Sequence, residues 1–360
     1  MIRKPSLLID EKKCRENIRW MFSKAQKANV DFRPHFKTHQ SLEIGRWFKE
    51  AGIDKITVSS LEMAEYFSSE WDDITVAFPV NILEIDGIND LAVKINLNLL
   101  IESAETASFL RDNMKSRAGF FIKIDVGNHR TGIIPSNTQG INDILAVSDS
   151  AESMDFQGFL GHAGHTYNCN TREKILEIHK ESLDIMAGLK LNFIDRYPNL
   201  ILSLGDTPGC SVSEDFSGID EIRPGNFVFY DLTQNKIGSS NIEKIAVAMA
   251  CPIVAIHRNR GEIVIYGGGV HFSKERLEDE KEGTIYGKVV EKSDKGWGNI
   301  IQGMYLKSLS QEHGILSVPD SEITKYSVGD TVLILPVHSC MTANLMKDYQ
   351  TTGGHYISKR

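Results

Sequence analysis

Up to about residue 235, short apolar runs rich in β-branched and aromatic residues alternate with segments of helical period. The runs are "VDFRPHF", "KITVSS", "ITVAFPV", "INLNLLI", "FFIKIDVG", "MDFQGFLGH", "LILSLGD" and "GIDEIRPGNFVFYD". Between most of them, stretches such as "LEIGRWFKEAG", "SAETASFLRDNM" and "TREKILEIHKESLDIMAGL" repeat apolar residues at every third or fourth position. Strand-like runs joined by helical segments predict a TIM-like (β/α)8 barrel, with chemistry expected at the C-terminal strand ends. Spacing alone leaves an open doubly wound sheet as the alternative.

From about residue 242 the rhythm changes. "IAVAMACPIVAIHRNRGEIVIYGGG", "TIYGKVVEK", "GMYLKSLSQEHGILSV" and "DTVLILPVHSC" read as strands separated by Gly, Asn and Asp turn signals. This predicts an all-β second domain, and "RKPSLLID" at the start reads as a strand able to pair with it. The fold class is therefore α/β plus all-β, with a barrel over residues 9–238 and a β domain from residues 1–8 and 239–360.

Composition narrows the partners. The chain has 360 residues, 41% hydrophobic and 24% charged, as in an ordinary globular protein. Its formal charge of -8, with no basic stretch to offset it, argues against nucleic acid as the main partner. No apolar run is long enough for a membrane span, and the N-terminal apolar segment is too short for a signal peptide. Five scattered cysteines, an odd number, fit a reducing cytoplasm better than a disulfide framework.

Reactive residues gather at the predicted strand ends. Lys37 closes the first run, and "KIDVGNHRTG" closes the fifth with Lys123, Asp125, His129 and Arg130. "GHAGHTYN" closes the sixth with His162, His165 and Tyr167, and "SLGDTPG" the seventh with Ser203, Gly205 and Thr207. "EIRPGNFVFYD" adds Arg223, Gly225 and Asn226. Taken singly, the lysine is an ordinary surface cation and the Gly-Pro clusters are ordinary turns. Together at one face of one barrel they suit a phosphorylated aldehyde cofactor. A desolvated lysine can form a Schiff base, backbone N–H groups can hold a phosphate, and the arginines can contact ring heteroatoms. In "PVHSC", read as a strand, His338 and Cys340 point to one face and form half of a zinc site. A buried structural pair is the plainer alternative.

As an ordered set, "RPHFKTH", "KIDVGNHRTG", "GHAGHTY", "SLGDTPG", "EIRPGNFVFYD", "LSQEHG" and "PVHSCMTANL" resemble one family over nearly the whole chain. They resemble the D-serine dehydratase and D-threonine aldolase group of fold-type III pyridoxal-phosphate enzymes, with an alanine-racemase-like N-terminal barrel. The resemblance implies Lys37 as the Schiff-base lysine and Arg130 beside the cofactor's phenolic oxygen. It implies Tyr167, Ser203, Thr207, Gly225 and Asn226 as cofactor contacts. It also implies His338 and Cys340 as ligands of Zn2+, with Mn2+ as the alternative, and a homodimer. D-threonine aldolases characteristically carry aspartate at the second ligand position, so Cys340 favours dehydratase chemistry. "VIYGGGVHFSKE" departs from the Asp-x-Gly-x-Lys-like sequence of many members, which leaves substrate identity open.

The leading expectation is a lyase that converts a β-hydroxy D-amino acid to a 2-oxo acid and ammonia. Retro-aldol cleavage to glycine and an aldehyde uses the same residues. A racemase needs a second base on the opposite face of the substrate, and a non-catalytic pyridoxal-phosphate carrier would not need the β domain.

Overall fold

Eight short parallel strands hydrogen-bond in sequence order in the computed structural model, which describes residues 2–360. They are Asp31–Phe32, Lys55–Val58, Asp73–Pro79, Asn96–Ile101, Ala118–Ile124, Met154–Gly161, Ile201–Leu204 and Glu221–Ile222. The last strand pairs with the first, through Asp31↔Glu221 and Phe32↔Ile222. The ring closes where His35 bridges Thr57, with Phe36 N donating to Thr57 O at 2.8 Å. With that single bridge the eight strands form a nearly closed parallel barrel and not a doubly wound open sheet.

The helices that follow the strands start on side-chain caps. Ser60, Ser103, Asn137, Thr171 and Asp206 each accept a hydrogen bond from a backbone N–H in the first helical turn. Capping at the strand-to-helix turns fixes the loops on the C-terminal face of the barrel, where the candidate chemistry lies. Gly205, after the seventh strand, allows a close approach: a Cβ there would meet Arg223 N at 2.5 Å.

Contacts divide the chain into two units. One comprises the N-terminal stretch to Ile18, Thr38–Ile44 and Val228–Arg360, and the other comprises Arg19–Lys37 and Gly45–Phe227, which holds the barrel. In the first unit, Ser6–Ile9 pairs antiparallel with Val247–Ala250 and parallel with Tyr349–Thr351. Glu262–Tyr266 pairs with both His313–Ser317 and Val247–His257, so six mostly antiparallel strands return on themselves. Their inward residues, such as Met249, Val289 and Ile334, are fully buried.

This unit is not purely β. Short helices occur at Gly269–Phe272, Asp320–Ile323 and Ser339–Leu345. The last corrects the expectation that "PVHSC" is one strand. Pairing of Thr331–Pro336 with Gly287–Val290 ends at Pro336, and the chain then turns into the helix. No described helix is long and apolar enough to cross a membrane.

Candidate active site

The barrel unit gathers cations at its C-terminal strand ends. Lys37 is exposed in the turn after the first strand, next to His35. Lys123, in the fifth strand, is buried, and its Nζ donates to Ile124 O at 3.1 Å. Burial, with Arg223 and Arg130 adding to it, lowers Lys123 to about 7. His162 lies at the focus. Burial pushes it well below the ordinary histidine range, and Lys37, Lys123 and Arg130 push in the same direction. The ring is therefore neutral. Its Nδ1–H donates to Gly205 O at 2.6 Å, which leaves Nε2 as a lone-pair acceptor.

Arg130 sits at the rim, on a loop organised by Asp125. The Asp125 carboxylate accepts from Gly127 N and His129 N, both at 3.0 Å, and pairs with His129 Nδ1 at 2.9 Å. Burial opposes charge on Asp125, but these bonds outweigh it and hold the carboxyl below its ordinary value. Ile133 N then donates back to Lys123 O. Gly132 takes φ +109 there, where a Cβ would meet Asp125 N at 2.6 Å. Tyr167 is half-buried in the turn Gly164–Asn168 after the sixth strand.

Two further loops complete the face. Thr207 is fully buried, and its Oγ1 accepts Gly225 N at 3.2 Å, joining the loops after the seventh and eighth strands. Asn226 is buried beside Gly225. Below Thr207, the buried Asp206 caps its helix and accepts from Thr166 Oγ1 at 2.9 Å. Burial raises its carboxyl above the ordinary range.

Ser203 differs from expectation. It is fully buried inside the barrel, where its hydroxyl donates to Glu221 at 2.5 Å and accepts from Arg223 Nη1. It is thus a partner of Arg223, and its hydroxyl is taken up by the protein. Arg223 also donates through Nη2 to Gly161 O at 2.6 Å.

His338 and Cys340 come together in the other unit. His338 is the N-cap of Ser339–Leu345 and Cys340 lies in its first turn, so the cap and not a strand repeat brings them together. Burial works against charge on His338, but the hydrogen bond to Cys340 and the charges of Cys340, Asp231 and Glu275 lift it to about 9. Asp231 Oδ2 accepts both Ser339 N at 2.9 Å and Ser339 Oγ at 3.2 Å, anchoring the start of the helix. Among the described residues no cluster of three or more His, Cys, Asp or Glu side chains could hold a metal, so this is a two-ligand site at most.

Two family models match the chain, "Alanine racemase, N-terminal domain" over residues 9–232 and "Putative serine dehydratase domain" over residues 246–352. A D-serine dehydratase of Dictyostelium discoideum is 30% identical, across 96% of this chain and 92% of that protein. The chain belongs to the D-serine dehydratase family. A D-threo-3-hydroxyaspartate dehydratase of a Delftia species is 27% identical, across 96% of this chain and 93% of that protein. The solved structure of that dehydratase superposes with a TM-score of 0.91 at 25% identity, covering 100% of this chain and 98% of the other. More distant are a D-threonine aldolase of an Arthrobacter species, at 23% identity over 63% of this chain, and a Helicobacter pylori alanine racemase, at 26% over 64%. In this chain the alanine-racemase-like barrel is followed by a mostly antiparallel sheet domain.

The sequence reading missed the supporting groups: Glu221, Arg33 and Asp73 under Arg223, Asp231 beside the His338 helix, and Thr38, which contacts Cys340. A charged residue inside a strand-like run, as in "DFRPHF" and "DEIRP", was the available signal.

Proposed function

We propose that this protein is a pyridoxal-phosphate- and metal-dependent dehydratase of a β-hydroxy D-amino acid, releasing a 2-oxo acid and ammonia. The observation that carries it is the His338–Cys340 pair, a histidine and a thiol brought into hydrogen-bonding contact at the start of one helix. The chemistry of the barrel face supports the cofactor. Lys37, Lys123 and Arg130 all bear on one neutral histidine, an arrangement that suits an anionic ligand.

Lys37 would hold the cofactor covalently, with Thr207, Gly225 and Asn226 around its phosphate and Tyr167, Arg130 and Arg223 around its ring. Pyridoxal phosphate, when bound, supplies an electron sink for the pair left at Cα. The Lys37 amine, when free, would be the base that accepts the α-proton. His338 and Cys340 would hold a metal ion, which would supply Lewis acidity toward the β-hydroxyl, and the proton accepted by Lys37 would let that hydroxyl depart as water. The water lost in elimination is regained in hydrolysis, so the sum is one D-amino acid to one 2-oxo acid and one ammonia.

The soft Cys340 sulfur favours zinc over harder metals, with manganese as the alternative. Solved structures of D-threo-3-hydroxyaspartate dehydratase include a cysteine-to-alanine form described as metal-free and a histidine-to-alanine form, the two positions being two residues apart as in His338-x-Cys340. We place the cofactor in the barrel, residues 9–238, and the metal pair in the remaining β domain. A cytoplasmic location is supported by five free cysteines. A homodimer is supported by exposed Met341 and Leu345, four residues apart on the helix that follows His338.

The test is the product. D-Serine, D-threonine and D-hydroxyaspartate should each be scored for ammonia with 2-oxo acid against glycine with aldehyde.

A further inference from the structure

The interior of this barrel is unusually polar. TIM barrels are normally filled by layers of branched apolar side chains. Here Arg33, Glu221, Ser203 and Arg223 are all buried, on the first, seventh and eighth strands or their ends. Arg33 Nε donates to Glu221 at 2.6 Å, and its Nη1 to Asp73 on the third strand. Glu221 accepts the Ser203 hydroxyl through its other oxygen at 2.5 Å. Because Ser203 gives its one proton to Glu221, only lone pairs remain to face Arg223 Nη1. Arg223 is then held in a fork between Ser203 and Gly161 O.

Such a chain is costly. Buried ion pairs rarely outperform apolar packing of the same volume, so one kept inside a barrel calls for a purpose beyond stability. The purpose legible here is directional. Each link leaves the next with one permitted hydrogen-bonding role, and the chain ends on Arg223, the residue directly after the eighth strand. Burial lowers Arg223 to about 10, with Glu221 working against that effect, so the carboxylate also helps keep the guanidinium charged.

We infer that Glu221 and Ser203 are positioning residues, which fix the orientation of Arg223 toward the cofactor ring through the relay Arg33–Glu221–Ser203–Arg223. The inference rests on the pyridoxal-phosphate reading above and adds Arg33, Glu221 and Ser203, to which that reading gives no role.

The experiment compares Ser203→Ala, Glu221→Gln and Arg223→Lys, with Ser182→Ala as a control. Ser182 is equally buried, but it donates only to Ile178 O within its own helix. Two readouts are taken: the visible absorbance of the bound cofactor across pH, and unfolding of the cofactor-free protein. Ser203→Ala and Glu221→Gln should shift the absorbance in the same direction as Arg223→Lys, while Ser182→Ala leaves it unchanged. Loss of a hydrogen bond to a charged group is worth roughly tenfold, so turnover should fall by about that factor or more. In the cofactor-free protein, Ser203→Ala and Arg223→Lys should be non-additive, and Ser182→Ala with Arg223→Lys additive. A wild-type spectrum and turnover in Ser203→Ala, beside an altered Arg223→Lys, overturns the relay. If Glu221→Gln does not fold, Ser203→Ala decides alone. Wild-type protein that takes up no pyridoxal phosphate overturns the parent reading and this inference with it, and it shows before any substitution is made.

Discussion

Thr38 Oγ1 lies 3.2 Å from the Cys340 sulfur, a contact between residues 302 positions apart in sequence. Thr38 is fully buried and directly follows Lys37. The residue after the candidate cofactor lysine is therefore a direct neighbour of a candidate metal ligand. Outer partners of metal ligands set their orientation, and losing one typically costs ten- to a hundredfold in affinity.

Thr38→Val removes the hydroxyl and keeps the shape. Zinc affinity, measured by competition with a coloured chelator, should fall by roughly tenfold or more. Thr38→Ser should stay close to wild type. Equal affinity in all three proteins would make the contact a packing detail.

Lys37 is tested by where the cofactor attaches. Borohydride treatment of pyridoxal-loaded protein should fix the label on one peptide, the one containing Lys37. Lys37→Ala should lose turnover almost completely and melt close to wild type, because the side chain is exposed. Label on Lys123 instead would move the covalent site to the fifth strand.

Lys123 predicts a pH signature. In the folded chain it titrates near 7, whereas the unfolded lysine titrates near 10.5. Between these values the unfolded state binds the extra proton, so stability rises as pH rises through that window. Below about 7 both states are protonated, and this gain is absent. Chemical unfolding of cofactor-free protein at several pH values from 7 to 10 should show an upward component of up to about 1.4 kcal/mol per pH unit. Lys123→Met should lack that component. An identical pH slope in both proteins would mean that the amine is charged in the fold.

These residues differ in how visible they were before folding. The eight barrel strands were legible because each falls in a short apolar run between turn signals. The Arg33–Glu221 bond was not, because it joins residues 188 positions apart, and a strand pattern does not say which charges share an interior. His338 and Cys340 were found as a pair on the wrong argument. Pro336 has no N–H to continue the ladder, so the strand stops and a helix cap makes the contact. Ser203 was read as a cofactor contact at the end of the seventh run, but it lies within the strand, fully buried, with its hydroxyl bonded to Glu221 and Arg223.

The most direct test of the central claim is ammonia release from D-serine and D-threo-3-hydroxyaspartate by pyridoxal-loaded protein, before and after chelation. We predict a 2-oxo acid in equal amount to ammonia, loss of both on chelation with the cofactor still attached, and recovery on adding zinc. Glycine and an aldehyde as the products, or activity that survives complete metal removal, would contradict it.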